Sequence, residues 1–336
     1  MRIVLAVLLA ILALLPSARA ADEKWDDVVA AAKKEGKVVV YNSVQQAAYY
    51  LAVVKSFEKK YGIKVETLDL RAAELTERIR TEQAAGRFLG DIEEHSTGTI
   101  ERQLNAGLKV IQPHGFIPNV KNLREPFVAT DLYVPAWVQA YGFLVNTDAV
   151  SEQQMPKSWP DLLDDKWRGR ILADDTRALG GGNTMFAVTA LKYGVDFQKK
   201  MAAQKLVFSR DLRNDARRVA RGEYPIYIPQ MFAMASDMGG LPVTVVVPSD
   251  GSPYVPINNA VLRNAPHPNA ARVFINHFLE LDSQITYANG WMQPVVKGAI
   301  EGASAEAKPY AAAKLMGATP WDKAEEMMAL AKEIYQ

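Results

Sequence analysis

Cysteine is absent from this 336-residue chain. Its absence excludes disulfides, thiolate metal sites and cysteine nucleophiles, and removes the thiol that a lipid anchor would need. An excess of charge is missing too: 39 basic against 38 acidic residues leave a formal net charge of +1. That balance offers no footprint for nucleic acid or a membrane surface as partner. Beyond the first twenty residues no apolar run is long enough to span a bilayer. Internal repeats and low-complexity tracts are also lacking.

Those first twenty residues are the exception. Arg2 precedes an unbroken apolar run over residues 3–15, and Pro16 and Ala18-Arg19-Ala20 follow. A basic start, a short hydrophobic stretch and an A-x-A site describe a cleavable secretory signal. The run falls short of the ~20 apolar residues of a spanning helix. Residues 1–20 are therefore expected to be a signal peptide cut near Ala20. The mature chain would start near Ala21, free in a bacterial periplasm. Losing Arg2 and Arg19 turns the charge from +1 to −1, and removing 20 of 336 residues leaves 316. Single cores stop growing at ~250–300 residues, so two lobes are expected.

Helical and strand patterns alternate along the rest. Trp25, Val28, Val29 and Ala32 recur at helical spacing, and Gly36 closes the run. KVVVYNS reads as a buried parallel strand, residues 44–61 as a helix, IKVETLDL as a strand and 72–83 as a helix. Residues 91–95 read as a third strand and 99–104 as a fourth helix. After residue 165 the cycle resumes with RGRILADD, a helix over 184–193, KLVFS, a helix over 211–220 and YPIYIP. The tail from Ser304 reads as helical.

Such alternation implies an α/β fold of open, mostly parallel sheets flanked by helices. Extended segments at 132–145 and 243–247 would be two crossovers between the lobes, leaving a cleft. The expected division places 21–130 plus 250–300 in one lobe and 131–249 plus 301–336 in the other, with hinges near 125–140 and 243–250.

Ligands of an open α/β sheet sit beyond the carboxyl ends of its strands, where loops feed helix N-termini. Four strand ends here share hydroxyls, amides and glycine. They are Ser43-Val44-Gln45, Ser96-Thr97-Gly98, Thr176-Arg177 with Gly180-Gly181-Gly182-Asn183-Thr184, and Tyr227 with Gln230. Any one alone is an ordinary N-cap, because Ser, Thr and Asn are the default caps. Four on one cleft point to a ligand. The triple glycine is not a dinucleotide fingerprint, since Met185 stands where a further glycine is needed, and it is not a phosphate loop. It lets backbone approach a ligand at a helix start beside Arg177, which suits a carboxylate or phosphate.

The stretch DIEEH puts Glu93, Glu94 and His95 at a strand end. Adjacent strand residues face alternate sides, so the three cannot share one metal ion. A secreted serine hydrolase using Ser96 would need the elbow G-x-S-x-G. Gly98 fits it, but Glu94 stands where the tight turn needs glycine. His267 and His277 lie in or near a helix and read as structural; His114 sits in a loop without partners.

Six segments in order carry a family resemblance: VVVYNSVQQ, GDIEEHSTGTIERQLNAGL, YGFLVNTDAV, SWPDLLDDKWRGRILADD, VARGEYPIYIP and VPSDGSPYVPINNAVLRNAPHPNAARVFINHFL. From Trp25 to the Pro294 region the chain resembles the iron(III)-type branch of ABC-transporter periplasmic solute-binding proteins. The resemblance implies a two-lobed type 2 periplasmic binding fold, a small-molecule ligand and an inner-membrane ABC transporter permease as partner. It implies a binder, not an enzyme, with no cofactor, and a monomer.

Iron-binding members hold the metal with a tyrosine pair shortly after the G-E-Y segment. Here Gly222-Glu223-Tyr224 leads to Gln230-Met231-Phe232. The histidine often found after Y-N falls on Gln45, and the glutamate after the third strand falls close to Ser96. Fe³⁺ wants hard anionic oxygens, so no metal is expected. What remains is a pocket of hydroxyls and amides with Arg177, joined by Arg210 or Arg213, and with Glu94 for a ligand donor. Its aromatic walls would come from Trp137, Tyr141, Tyr227 and Phe232. It suits a small organic anion. A cation, an amine or ferric iron anchored by Glu93 and Glu94 is the alternative.

Overall fold

The computed structural model describes residues 24–43, 47–70 and 72–336. The signal peptide expected over 1–20 and Gln45 lie outside the described residues, as do the side chains of Arg213 and Asp237.

The chain opens with α1 (Trp25–Glu35), β1 (Lys37–Asn42), α2 (Ala48–Tyr61), β2 (Lys64–Asp69), α3 (Ala72–Ala84), β3 (Ile92–Ser96) and α4 (Thr97–Asn105). Helix α1 stops where Gly36 takes φ 74° and returns its N–H to the Ala32 carbonyl, a left-handed cap that glycine adopts freely. Helix α2 buries Tyr50, Val53 and Phe57, three residues on one helical face.

The 14-residue strand β4 (Tyr133–Asn146) enters the second lobe. There follow β5 (Ile171–Asp174), α5 (Gly181–Tyr193), α6 (Val195–Ala203), β6 (Val207–Ser209), α7 (Leu212–Ala220), β7 (Ile226–Met231), α8 (Phe232–Ala235) and β8 (Val243–Val246). Strand β9 (Ser252–Val261) returns to the first lobe, which α9 (Pro268–Phe278), α10 (Leu281–Asn289), β10 (Gln293–Pro294), α11 (Ala299–Gly302) and α12 (Lys308–Ala311) extend. Strand β11 (Leu315–Gly317) and α13 (Ala324–Ile334) end the chain. The tail is thus helical only in part: Gly317 and Pro320 interrupt it, and neither residue continues a helix readily.

One curled sheet runs in the order β2-β1-β3-β9-β4-β7-β5-β6. The outer strands are parallel, β1 with β2 and β3 in one lobe and β5 with β6 and β7 in the other. Of the two long crossing strands, β9 runs antiparallel to β3 and β4, and β4 to β7 and β8, while the short β11 adds to β9 in parallel. Strand β4 serves both lobes. Residues 133–140 pair with β9, and residues 141–146 pair with β7 or β8. The backbone crosses again at 247–251 and a third time at 312–320.

Each lobe has its own core. Phe57, Trp137, Phe274, Phe278 and Tyr287 centre the first, and Phe143, Trp159, Trp167, Phe186 and Tyr335 the second. Burying each such ring contributes roughly 1.5–3 kcal/mol. Two histidines hold the first lobe together as read from sequence. The His267 N–H and Nδ1 lie 2.7 and 2.9 Å from Asp91, and His277 lies 2.7 Å from Ser56 and 3.1 Å from Glu280. His114 departs from expectation. It is buried, with its ring nitrogens each 2.7 Å from a backbone oxygen, of Gly115 and Thr130. Its loop is packed down, and that packing supplies the partners.

Candidate functional site

A cavity of about 1020 Å³ opens between the lobes. One wall is the junction of β3 and α4. Ser96 is the N-cap of α4: its Oγ accepts the Thr99 N–H at 3.2 Å and lies 3.0 Å from Thr99 Oγ1. Asn258 of β9 donates to Thr97 Oγ1 at 2.8 Å. Arg102, one turn further along α4, reaches back to Thr99 Oγ1 at 3.3 Å and lines the cavity. Among the described residues it forms no ion pair. Its guanidinium is available to a ligand.

The facing wall is made by the ends of β5 and β7 and the start of α5: Asp174, Gly180, Gly181, Asn183, Thr184, Tyr227 and Gln230, with Tyr141 from β4. Residues 318–321, on the third crossing, close one side, with Trp321 against the opening. The α5 start is already occupied. Asp174 Oδ2 accepts the Gly182 N–H at 2.7 Å, so a carboxylate of the protein takes the place expected for a ligand anion. Gly182 must be glycine, because a Cβ there would stand 2.3 Å from the Asp174 carbonyl oxygen. Burial first, and then the Asp174 charge, push the Tyr141 and Tyr227 phenols up from their ordinary range.

Eight of the expected site residues meet at this cavity: Ser96, Thr97, Gly98, Tyr141, Asn183, Thr184, Tyr227 and Gln230. Others do not. Arg177 Nε donates to Asp175 Oδ1 at 2.8 Å, its Nη1 to the Tyr335 carbonyl at 3.1 Å, and its guanidinium lies over Phe208. Arg210 grips the same carboxylate at 2.9 Å. The buried carboxylate of Asp175, two residues before Arg177, holds the guanidinium away from the cleft. Burial raises Asp175, but the two arginines together hold it below the usual range.

Glu94 is on the opposite face of β3 from His95 and does not line the cavity. It is buried near Tyr50 and Tyr287, with neither carboxyl oxygen bonded; the Trp137 indole N–H lies near but closes no hydrogen bond. Trp137 itself belongs to the first lobe's core. Ser43 is exposed away from the cavity, and Gly182 lies just behind its wall.

Glu93 and His95 share the other face, 4.0 Å apart. Burial pushes Glu93 up to about 7, against a pull from Gln103, while burial and then Arg102 push His95 down to about 4. Both are therefore neutral near pH 6. Ser96 has no imidazole within hydrogen-bond distance among the described residues, so nothing there would activate it as a nucleophile. Sequence reasoning missed Asp174 and Arg102. Asp174 ends the strand RGRILADD, and the strand-end rule reached only the loop after it. Arg102 follows Thr99 by three positions, which puts both on one helical face.

Comparison with known proteins fits this arrangement. Residues 104–326 match the family model for bacterial extracellular solute-binding proteins. The chain belongs to this family. This solute-binding protein is 25% identical over 273 residues to an uncharacterized protein of Haemophilus influenzae, covering 76% of this chain and 77% of that one. Its fold is that of iron-bound HitA from Pseudomonas aeruginosa (TM-score 0.70, 19% identity, 89% and 99% of the two chains). It is equally that of apo ferric ion-binding protein A from Pasteurella haemolytica (0.73, 18%, 89% and 98%). A third structure with this fold is AfuA from Actinobacillus pleuropneumoniae with exogenous fructose-6-phosphate bound (0.67, 20%, 89% and 97%). The two-lobed periplasmic binding fold is thereby established.

Proposed function

We propose that this solute-binding protein is the periplasmic receptor of an ABC importer and that its cleft captures a small organic ligand by an anionic group. The observation that carries the reading is the α4 wall. A half-buried, cavity-lining helix start with the Ser96 and Thr97 hydroxyls stands beside Arg102, the cavity's guanidinium without an acidic partner among the described residues. A helix N-terminus carries about half a positive charge, and charge-assisted hydrogen bonds to a guanidinium contribute ~1.5–3 kcal/mol each. The facing wall offers no such anion site, because Asp174 fills it. Arg102 takes the role that the sequence assigned to Arg177.

Ferric iron fits these residues poorly. Gln230-Met231-Phe232 stands where iron-binding relatives carry a tyrosine pair, and the two phenols present are held protonated by burial and by Asp174. Mixing the protein with Fe³⁺ and a synergistic anion should give no visible tyrosinate band; a band would restore the iron reading. The anion reading is tested by thermal shift and calorimetry with small carboxylates and phosphate esters. Arg102→Ala should weaken binding at least tenfold with the unliganded melting temperature preserved. Unchanged affinity in that variant would sink the anion assignment.

A further inference from the structure

The wall opposite α4 carries a carboxylate and an amide oxygen as acceptors, with phenols that can accept as well as donate. Asp174 lies on the cavity surface at the end of β5, and among the described residues it forms no ion pair. Among the described side chains, Arg177 and Arg210 are engaged with Asp175, and Arg218 with Asp215 and Glu223. Beside Asp174, Tyr227 is 1% exposed and its hydroxyl has no hydrogen-bond partner among the described residues. Gln230 lines the same wall at 2% exposure, and among the described residues its Oε1 also has no partner. The orientation of that amide is set by Nε2 donating to the Met231 carbonyl at 2.8 Å, which leaves the oxygen as the free end.

Burial of a polar group without a partner is costly. A carboxylate bonded only by backbone N–H groups, an unpaired amide oxygen and an unpaired phenol, which can accept as well as donate, therefore offer one wall to the ligand's donors. Resting on the reading that α4 and Arg102 hold an anion, we infer that the ligand is a zwitterion whose protonated amine lies against Asp174, Gln230 and Tyr227. A hydroxyl brings one donor. An ammonium brings three, and also the positive charge that Asp174 lacks. Burial raises the Asp174 carboxyl; the Gly182 and Asp175 backbone N–H groups offset part of that rise, and the Asp175 and Asp215 charges add to it. A cation bound here relieves both the burial and the repulsion. The two walls then select for charge separation within one small molecule: donors on α4 for its anion, acceptors on β5 and β7 for its cation.

Matched pairs of probes test this by calorimetry on the mature chain: propanoate and 3-aminopropanoate, butanoate and 4-aminobutanoate, hexanoate and 6-aminohexanoate, ethyl phosphate and ethanolamine phosphate. In at least one pair the aminated member should bind at least tenfold tighter. Asp174→Asn and Gln230→Met should each bring that ratio toward one. Circular dichroism of the unliganded variants shows which of them fold, and Gln230→Met keeps the side-chain shape if Asp174→Asn upsets the α5 start. Equal or tighter binding of the plain anion in every pair, or a ratio that neither variant moves, overturns the zwitterion and leaves the anion reading standing. Propylamine or butylamine binding as tightly as the amino acids overturns the anion reading, and the zwitterion with it. Failure of every probe to bind overturns both.

Discussion

Glu93, Glu94 and His95 are neighbours that burial drives toward neutrality, and their titration shapes how stability depends on pH. Burial lifts Glu94 to about 8, with Trp137 opposing and Asp69 adding, and lifts Glu93 to about 7. In the unfolded chain both ionise near 4.5. Between those limits the unfolded state binds fewer protons than the native one, so stability falls as pH rises from about 4.5 through about 8. His95 works in the opposite sense: its folded value near 4 lies below 6.5, so its neutral form loses stability as pH falls from 6.5 to 4. The effects partly cancel below pH 6.5, and above it only the glutamates act, each with a limiting slope of ~1.4 kcal/mol per pH unit. Glu94→Gln should therefore raise the melting temperature by several degrees at pH 8.5 and far less at pH 5.5. A pH profile unchanged by that substitution would mean that Glu94 is solvated.

At the scale of elements, β4 is the part on which both lobes depend. Gly142 sits where the strand passes from β9 to its second-lobe partners. A Cβ there would meet the Val246 carbonyl oxygen at 2.3 Å and the Phe232 ring at 2.8 Å. Neither the backbone oxygen of β8 nor a fully buried ring can yield cheaply, and overpacking of this kind costs about 1–3 kcal/mol. Gly142→Ala should lower the urea midpoint accordingly, whereas Gly169→Ala, with open space around the position, should cost only the strain of its positive φ. Equal losses would show that the β4–β8 contact is not tight.

The strands and helices themselves are legible in the sequence because β-branched runs such as VVVY and caps such as Gly36 act over a few residues. The antiparallel pairing of β9 and β4 is not, since it depends on the direction from which a distant segment arrives. The site divides the same way. Strand ends point to Ser96, Asn183 and Gln230, which line the cavity, but rotamer choice is decided by tertiary neighbours. Nothing local says that Arg177 turns to Asp175 and Tyr335, or that Glu94 turns away from the cleft while His95 faces it.

For the whole molecule, two cores joined by three crossings and separated by a cavity make a body that can close. A ligand touching α4 from one lobe and Asp174 from the other has differential affinity for the closed form, which is what shifts a two-state equilibrium. Small-angle scattering should give a smaller radius of gyration at saturating ligand, and no change at saturation would count against closure. The third crossing makes this visible without any label. Of the six tryptophans in the chain, Trp321 on that crossing lines the cavity, while Trp25, Trp137, Trp159, Trp167 and Trp291 do not. At 39% exposed its indole emits from a wet environment, and closure would dry it. Ligand addition should shift the emission to shorter wavelength, and Trp321→Phe should abolish the shift. The protein thus carries its own fluorescent gauge of occupancy.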